Sequence, residues 1–153
     1  MNITVKAIWF DMDGTIADLY GVENWLPHLI ASHTLPYREA KPLVNMRRLG
    51  HMLNELKANR YTIGIISWLS KNGSAEYNEK VTLTKVRWLE RHLGAVEFDE
   101  IHIVPYGTPK QNIADKPTGI LFDDEKPNRE NWSGMAYDVD NILGVLQNLI
   151  EGD

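Results

Sequence analysis

The chain has 153 residues, enough for one domain with a sizeable core, and its 43% hydrophobic and 24% charged residues are the balance of an ordinary globular protein. It has no cysteine, which excludes disulfides, thiol catalysis and cysteine-ligated zinc. A formal net charge of -5 argues against strong nucleic-acid binding through a general positive field, and no apolar run approaches the ~20 residues of a membrane helix, so a cytoplasmic protein is expected.

Ile3 to Phe10 is predicted as the first strand, apolar enough at its end to be covered on both faces. It stops in Asp11-Met12-Asp13-Gly14-Thr15. Side chains alternate along a strand, so both carboxylates are expected on one side with Met12 turned away. Gly14 then permits a sharp exit, with its backbone close to whatever the carboxylates hold. Residues 16–45 are irregular, punctuated by Pro27, Pro36 and Pro42, and are expected to form a small flap with short helical pieces around Trp25 and Leu26. Met46, Leu49, Leu53 and Leu56 fall at helical spacing and predict a helix over 46–59.

Tyr61 to Ile66 reads as a second strand ending at Ser67. A polar loop, Ser70 to Ser74, leads into a helix from about Ala75 to Leu93, with Val86, Leu89 and Leu93 as its buried stripe and Gly94 as its stop. Ile101 to Val104 is a third strand, followed by a loop carrying Pro105, Gly107, Pro109 and Lys110. Gly119 to Phe122 is a fourth and ends on Asp123-Asp124. Met135 to Tyr137 is a short fifth, after which Asp140 is expected to cap a last helix with Ile142, Leu143, Leu146, Leu149 and Ile150 inward. Strands alternating with helices predict an α/β fold, a three-layer Rossmann-like parallel sheet with helices on both faces.

The recurring event is a strand that ends on a polar residue. Asp11 and Asp13 follow the first strand, Ser67 the second, and Asp123 and Asp124 the fourth, while Lys110 lies in the loop after the third. In open parallel sheets the carboxyl ends of the strands are where ligands bind. Close carboxylates repel and raise each other's pKa unless a cation or a shared proton lies between them. Oxygen-only ligands favour Mg²⁺, which keeps several waters and takes its remaining ligands from carboxylates and a phosphate. A hydroxyl and an ammonium beside that metal suit the other oxygens of a phosphoryl group.

Taken in order, these pieces resemble the haloacid dehalogenase-like hydrolase superfamily. Phe10-Asp11-Met12-Asp13-Gly14-Thr15 is similar to its first motif, Ile65-Ile66-Ser67 to the second, Lys110 to the third, and Ile120-Leu121-Phe122-Asp123-Asp124 to the fourth. The resemblance runs from about residue 3 to 140. It implies that Asp11 is a nucleophile forming an aspartyl-phosphate and that Asp13 is the general acid and base. It implies Ser67 and Lys110 as phosphate holders, with Lys116 as the alternative to Lys110. It also implies an Mg²⁺ site made of Asp11, the Asp13 backbone carbonyl, Asp123 and Asp124. The dehalogenases that name the superfamily lack the second aspartate, so Asp13 points to phosphate chemistry. The intervals between motifs leave no room for a large cap, and a small phosphorylated substrate is expected, a nucleotide among the candidates. Ser67-Trp68-Leu69-Ser70 and Phe122-Asp123-Asp124-Glu125-Lys126-Pro127-Asn128-Arg129 are similar to small bacterial and phage proteins related to 5'-nucleotidases.

Other polar and aromatic residues are expected to be structural. The histidines at 28, 33, 51, 92 and 102 show no His-x-His or His-x-x-x-His spacing, Trp9 and Trp88 sit at core positions, and Arg47-Arg48 and Glu90-Arg91 are solvated helix faces. Trp68 is either core packing or a stacking face for a nucleobase. Two further readings stay open: a phosphatase of a nucleic-acid end or phosphoprotein, and a non-enzymatic phospho-aspartate signalling module. A signalling receiver, however, carries its acidic pair after the first strand and its phospho-accepting aspartate mid-chain, the reverse of the order here.

Overall fold

The structure, a computed structural model, describes residues 6–114 and 119–152. The expected strand residues 3–5 and Lys116 lie outside that range. In chain order the elements are β1 (Ala7–Phe10), β2 (Ala17–Asp18), α1 (Trp25–Ile30), α2 (Leu35–Glu39), β3 (Lys41–Pro42), α3 (Met46–Ala58), β4 (Thr62–Trp68), α4 (Ala75–His92), β5 (Glu100–Val104), β6 (Ile120–Phe122), α5 (Lys126–Asn131), β7 (Ala136–Tyr137) and α6 (Ile142–Gly152). The main sheet has the order β5-β4-β1-β6-β7 with every neighbouring pair parallel. This is the Rossmann-like α/β fold that the alternation of elements predicts, with no large cap.

Parallel connections are right-handed, and the strand order therefore fixes which face each helix covers. The steps from β1 to β4 and from β4 to β5 run the same way, so α3 and α4 share a face, and α6 returns to it. Leu49, Leu53 and Leu56 of α3, Trp88 and Leu89 of α4, and Ile142 and Leu146 of α6 bury that face together with Ile8, Phe10, Ile63, Ile65 and Phe122. The step back across β1 to β6 puts its connection on the other face. There Ala7, Trp9, Ile66 and Leu121 are covered by Ala114 and Trp132. Helices thus cover both faces, as expected, but unequally. Among the described residues the second face carries only the six-residue α5 and the 105–114 segment with its 3-10 turn Lys110–Asn112. Pro105 and Pro109 explain this, since proline removes a helix donor and clashes with the preceding turn.

Local signals account for most boundaries. The side chain of Asn45 accepts from Arg48 N at the start of α3, and Ser74 Oγ accepts from Tyr77 N at the start of α4, each filling an orphan donor of a helix N-terminus. The α4 stripe differs from expectation: Tyr77, Val81, Lys85, Trp88 and Leu89 are buried, and Val86 is only half-buried. Asp140 is not the cap of the last helix. Asp138 accepts from Val139 N at 2.7 Å and opens a 3-10 turn, Val139–Asn141, that runs into α6 and moves the cap upstream. β4 also runs past its expected end, because β5 pairs Ser67 with Ile103 and Trp68 with Val104.

Between β1 and α3, the short antiparallel pair β2–β3 frames α1 and α2. Leu19 and Tyr37 of this flap pack on Tyr77 and Val81 of α4. Trp88 Nε1 donates to Ala40 O at 2.8 Å, and Tyr77 OH to His33 O at 2.8 Å. The flap therefore shares the core of the main body along its α2 side. By contrast, α1 buries none of its six residues.

Candidate active site

β1 is the switch point of the sheet, where the connections leave in opposite directions, and the crevice beyond its carboxyl end is where such sheets bind ligands. Asp11 N still bonds Phe122 O at 2.9 Å. Then Met12 O accepts from Thr15, Ile16 and Ala17, all at 3.0 Å, which closes a tight loop. Met12 is buried and both carboxylates line one crevice, as expected, but each has its own lysine. Asp11 pairs with Lys110, and Asp13 with Lys85. Gly14 has φ 80°, and a Cβ there would lie 2.3 Å from Asp124 Oδ2, so this position needs glycine for both its backbone angle and the space.

Lys110 binds the acidic residues into one cluster. Its Nζ lies 2.9 Å from Asp11 Oδ1 and 2.7 Å from Asp123 Oδ2, and all three residues are buried. Asp123 is further held by Glu125 N at 2.9 Å and Asn128 Nδ2 at 3.2 Å, while Arg129 donates to its backbone carbonyl at 2.9 Å. Thr15 Oγ1 bridges Asp11 Oδ2 at 3.0 Å and Asp124 Oδ1 at 3.3 Å. One oxygen from each of Asp11, Asp123 and Asp124 lies within 4.8 Å of the others, an arrangement able to hold a metal ion. The side chain of Asp13 is outside this trio.

Burial, followed by the charge of Asp11, pushes Asp124 up to about 8 and Asp123 up to about 6, the latter restrained by Lys110. Burial also raises Asp13 against the pull of Lys85. Burial alone would lower Lys110, but Asp11 and Asp123 more than reverse it. Four carboxylates against two ammonium groups leave a formal deficit of two positive charges, which is what one divalent cation supplies. An all-oxygen donor set fits Mg²⁺.

Sequence reasoning missed Lys85. It is 1% exposed, and its Nζ donates to Asp13 Oδ2 and Ser67 Oγ, both at 2.8 Å, and to Trp68 O at 2.6 Å. The spacing Tyr77, Val81, Lys85, Trp88 places a lysine on an otherwise apolar stripe, and that was the available signal. Ser67 is fully buried and meets the site through Lys85. Thr15, Asn128 and Arg129 were also given no role by the sequence reading, although Thr15 stands inside the opening motif.

Over Asp11, Asp13 and Lys110 opens a crevice of about 280 Å³ whose walls include Tyr20, Trp25, Tyr37, Trp68 and Tyr106. Trp25 meets Tyr20 edge-on at 4.9 Å between ring centres, and Trp68 meets Tyr106 at 5.0 Å. Trp68 is thus part of the crevice wall, with Lys110 Nζ 5.3 Å from its ring and its own Nε1 bonded to Thr108 O at 2.8 Å. Burial, then the charge of Asp13, pushes the phenols of Tyr20 and Tyr37 upward, so both stay neutral donors.

No protein-family model matches the chain, and no curated protein matches it in sequence. Among solved structures, the chain is similar to D,D-heptose 1,7-bisphosphate phosphatase from B. bronchiseptica, crystallised with magnesium and phosphate. The likeness has a TM-score of 0.58 over 97% of this chain and 99% of that one, at 11% identity. At that identity the likeness establishes a shared fold.

Proposed function

We propose that the protein is a Mg²⁺-dependent phosphomonoester hydrolase working through an aspartyl-phosphate on Asp11, with a nucleotide as its small phosphorylated substrate. The observation that carries this reading is Lys110, which ties Asp11 to Asp123 beside Asp124 at the switch point of the sheet. Asp11, Asp123, Asp124 and the Asp13 backbone carbonyl would hold the metal, which, when bound, neutralises phosphoryl charge and orients the group for in-line attack. An oxygen of Asp11 attacks phosphorus and the ester P–O bond breaks. Asp13 gives its proton to the departing oxygen, then takes one from the water that cleaves the P–O bond to Asp11 and releases inorganic phosphate. Lys110 and Ser67 hold the phosphoryl oxygens.

Support for a nucleotide comes from the crevice. Its volume lies near the lower end of the ~300–1,000 Å³ usual for small-molecule pockets, and its aromatic walls offer stacking faces for a nucleobase. The phosphatase likeness extends to a fold that, in the structure named above, holds magnesium and phosphate. Phosphorylated small molecules do not cross membranes unaided, which favours a cytoplasmic site of action. Among the described residues no helix is long and apolar enough to cross a membrane. The 16–45 segment acts as a partial roof on a single catalytic unit.

The test is release of inorganic phosphate from a panel of nucleoside monophosphates, sugar phosphates and an aryl phosphate, with Mg²⁺ and with excess chelator. Nucleotides should lead the panel, and chelation should abolish turnover. Full activity without metal would remove the reading. A phosphoenzyme lasting minutes rather than seconds would favour a signalling module.

A further inference from the structure

We infer that Lys85 is a positioning residue that fixes which oxygen of Asp13 faces the reaction and which way the Ser67 hydroxyl points. This rests on the phosphatase reading for its functional meaning, although the geometry stands by itself. An ammonium has three donors and no acceptor. Asp13 Oδ2, Ser67 Oγ and Trp68 O take all three of them at 2.6–2.8 Å. Lys85 is 1% exposed and contributes nothing to the crevice wall, so it has neither a spare donor nor access to substrate. Lys110 differs: among the described residues two donors go to Asp11 and Asp123, and the third is left for a phosphoryl oxygen at the crevice it lines.

Two consequences follow from the donor count. Ser67 Oγ must accept from Lys85, so its own proton is directed to a different acceptor. Asp13 has Oδ2 committed to Lys85, which leaves Oδ1 as the oxygen that carries the proton to and from the substrate. Trp68 O anchors the ammonium to β4, and the Tyr37 ring of the flap lies 5.1 Å from the same nitrogen. The lysine is therefore held from the sheet and the flap alike and has little freedom to serve as a mobile catalyst. Its task is to hold the acid–base group and the hydroxyl in one fixed relation.

The experiment is a double-mutant cycle on the full chain with Lys85→Met, Asp13→Asn and the pair together. It is read by thermal unfolding and by single-turnover rates on an alkyl and an aryl phosphate with Mg²⁺. Lys85→Met should slow the alkyl ester by about 10²-fold or more and the aryl ester much less, because the aryl leaving group needs little protonation. In the Asp13→Asn background, adding Lys85→Met should change the alkyl-to-aryl rate ratio by no more than about twofold further. Lys85→Arg should not restore the rate, since a planar fork does not reproduce three convergent bonds. Lys85→Met should lower the unfolding midpoint by leaving a buried carboxylate unpaired, and the double variant should recover part of the loss. If Lys85→Met does not fold and the double variant does, that difference is itself the coupling. Additive midpoints, multiplicative changes in the alkyl-to-aryl ratio, equal losses on the two esters or a double variant that also fails to fold would each overturn the assignment. An inactive wild type would remove the phosphatase reading, and the unfolding cycle would still decide whether Lys85 and Asp13 act as one unit.

Discussion

At the scale of single residues, the two aspartates of the opening loop have different partners and should fail differently. Asp11 shares Lys110 with Asp123, so Asp11→Asn should remove the nucleophile and weaken the metal site together. Acid trapping of radiolabelled enzyme should find no phosphoenzyme in that variant. Asp13 leans on Lys85 instead, so Asp13→Ala should leave metal and phosphate binding largely intact while lowering turnover of an alkyl phosphate by about 10² to 10⁴. Equal losses on alkyl and aryl esters would contradict that role. The acidic residues were legible because each follows an apolar run that can only be a buried strand. Lys85 was not, because a lysine inside a helix reads as solvent-facing unless its neighbours at three- and four-residue spacing are checked against it. That Asp11 and Asp13 take separate lysines was hidden for another reason. It depends on Met12 O gathering three amide protons, a loop geometry that strand alternation does not describe.

At the scale of elements, the flap has one fixed side and one free side. Its α2 side is tied to α4 through Trp88, Tyr77 and Tyr37, whereas α1 presents Leu26 and Ile30 to solvent, the latter 77% exposed, at the mouth of the crevice. Trp25→Ala should raise KM for a nucleoside monophosphate by about tenfold, in line with ~1–3 kcal/mol for a lost base–aromatic stack. The same variant should leave KM for glycerol phosphate unchanged, and initial-rate kinetics on the two substrates would show it. A comparable rise for both would mean that Trp25 shapes the phosphate site rather than a base site. Ile30→Ser should shift the unfolding midpoint very little, since an exposed side chain away from caps and packing rarely contributes much. Proline punctuation and scattered aromatics made the flap's existence readable. Its attachment was not, since Trp88 and Tyr77 bond backbone carbonyls, which carry no residue-specific signal.

At the scale of the whole molecule, the acidic cluster links metal, protons and stability. Asp123 and Asp124 have folded-state values of about 6 and about 8, above the ordinary carboxylate value they take when unfolded. The native state then binds more protons than the unfolded state, so stability without metal should fall as pH rises from about 4 to about 8. Saturating Mg²⁺ binds only the folded site and should stabilise increasingly over the same window, as the protons leave. Unfolding midpoints at pH 5.5, 7 and 8.5, with chelator and with Mg²⁺, would check both slopes. A metal-free midpoint that climbs with pH would contradict the arrangement. The parallel sheet and its strand sequence were readable from alternating apolar runs. The lopsided layering was not, because it follows from strand order, and strand order is set by crossovers far apart in the chain.

That lopsidedness has its own outcome. The short 105–114 segment both brings Lys110 to the crevice and keeps water off Trp9 and its neighbours, through Ile113 and Ala114. Loosening the lysine would wet the indole, so the floor beneath the phosphate is obliged to be stiff. Whatever yielding is needed to admit one molecule and let the next one out falls to the roof, where α1 buries no residue fully and rests on the body through half-buried Leu29.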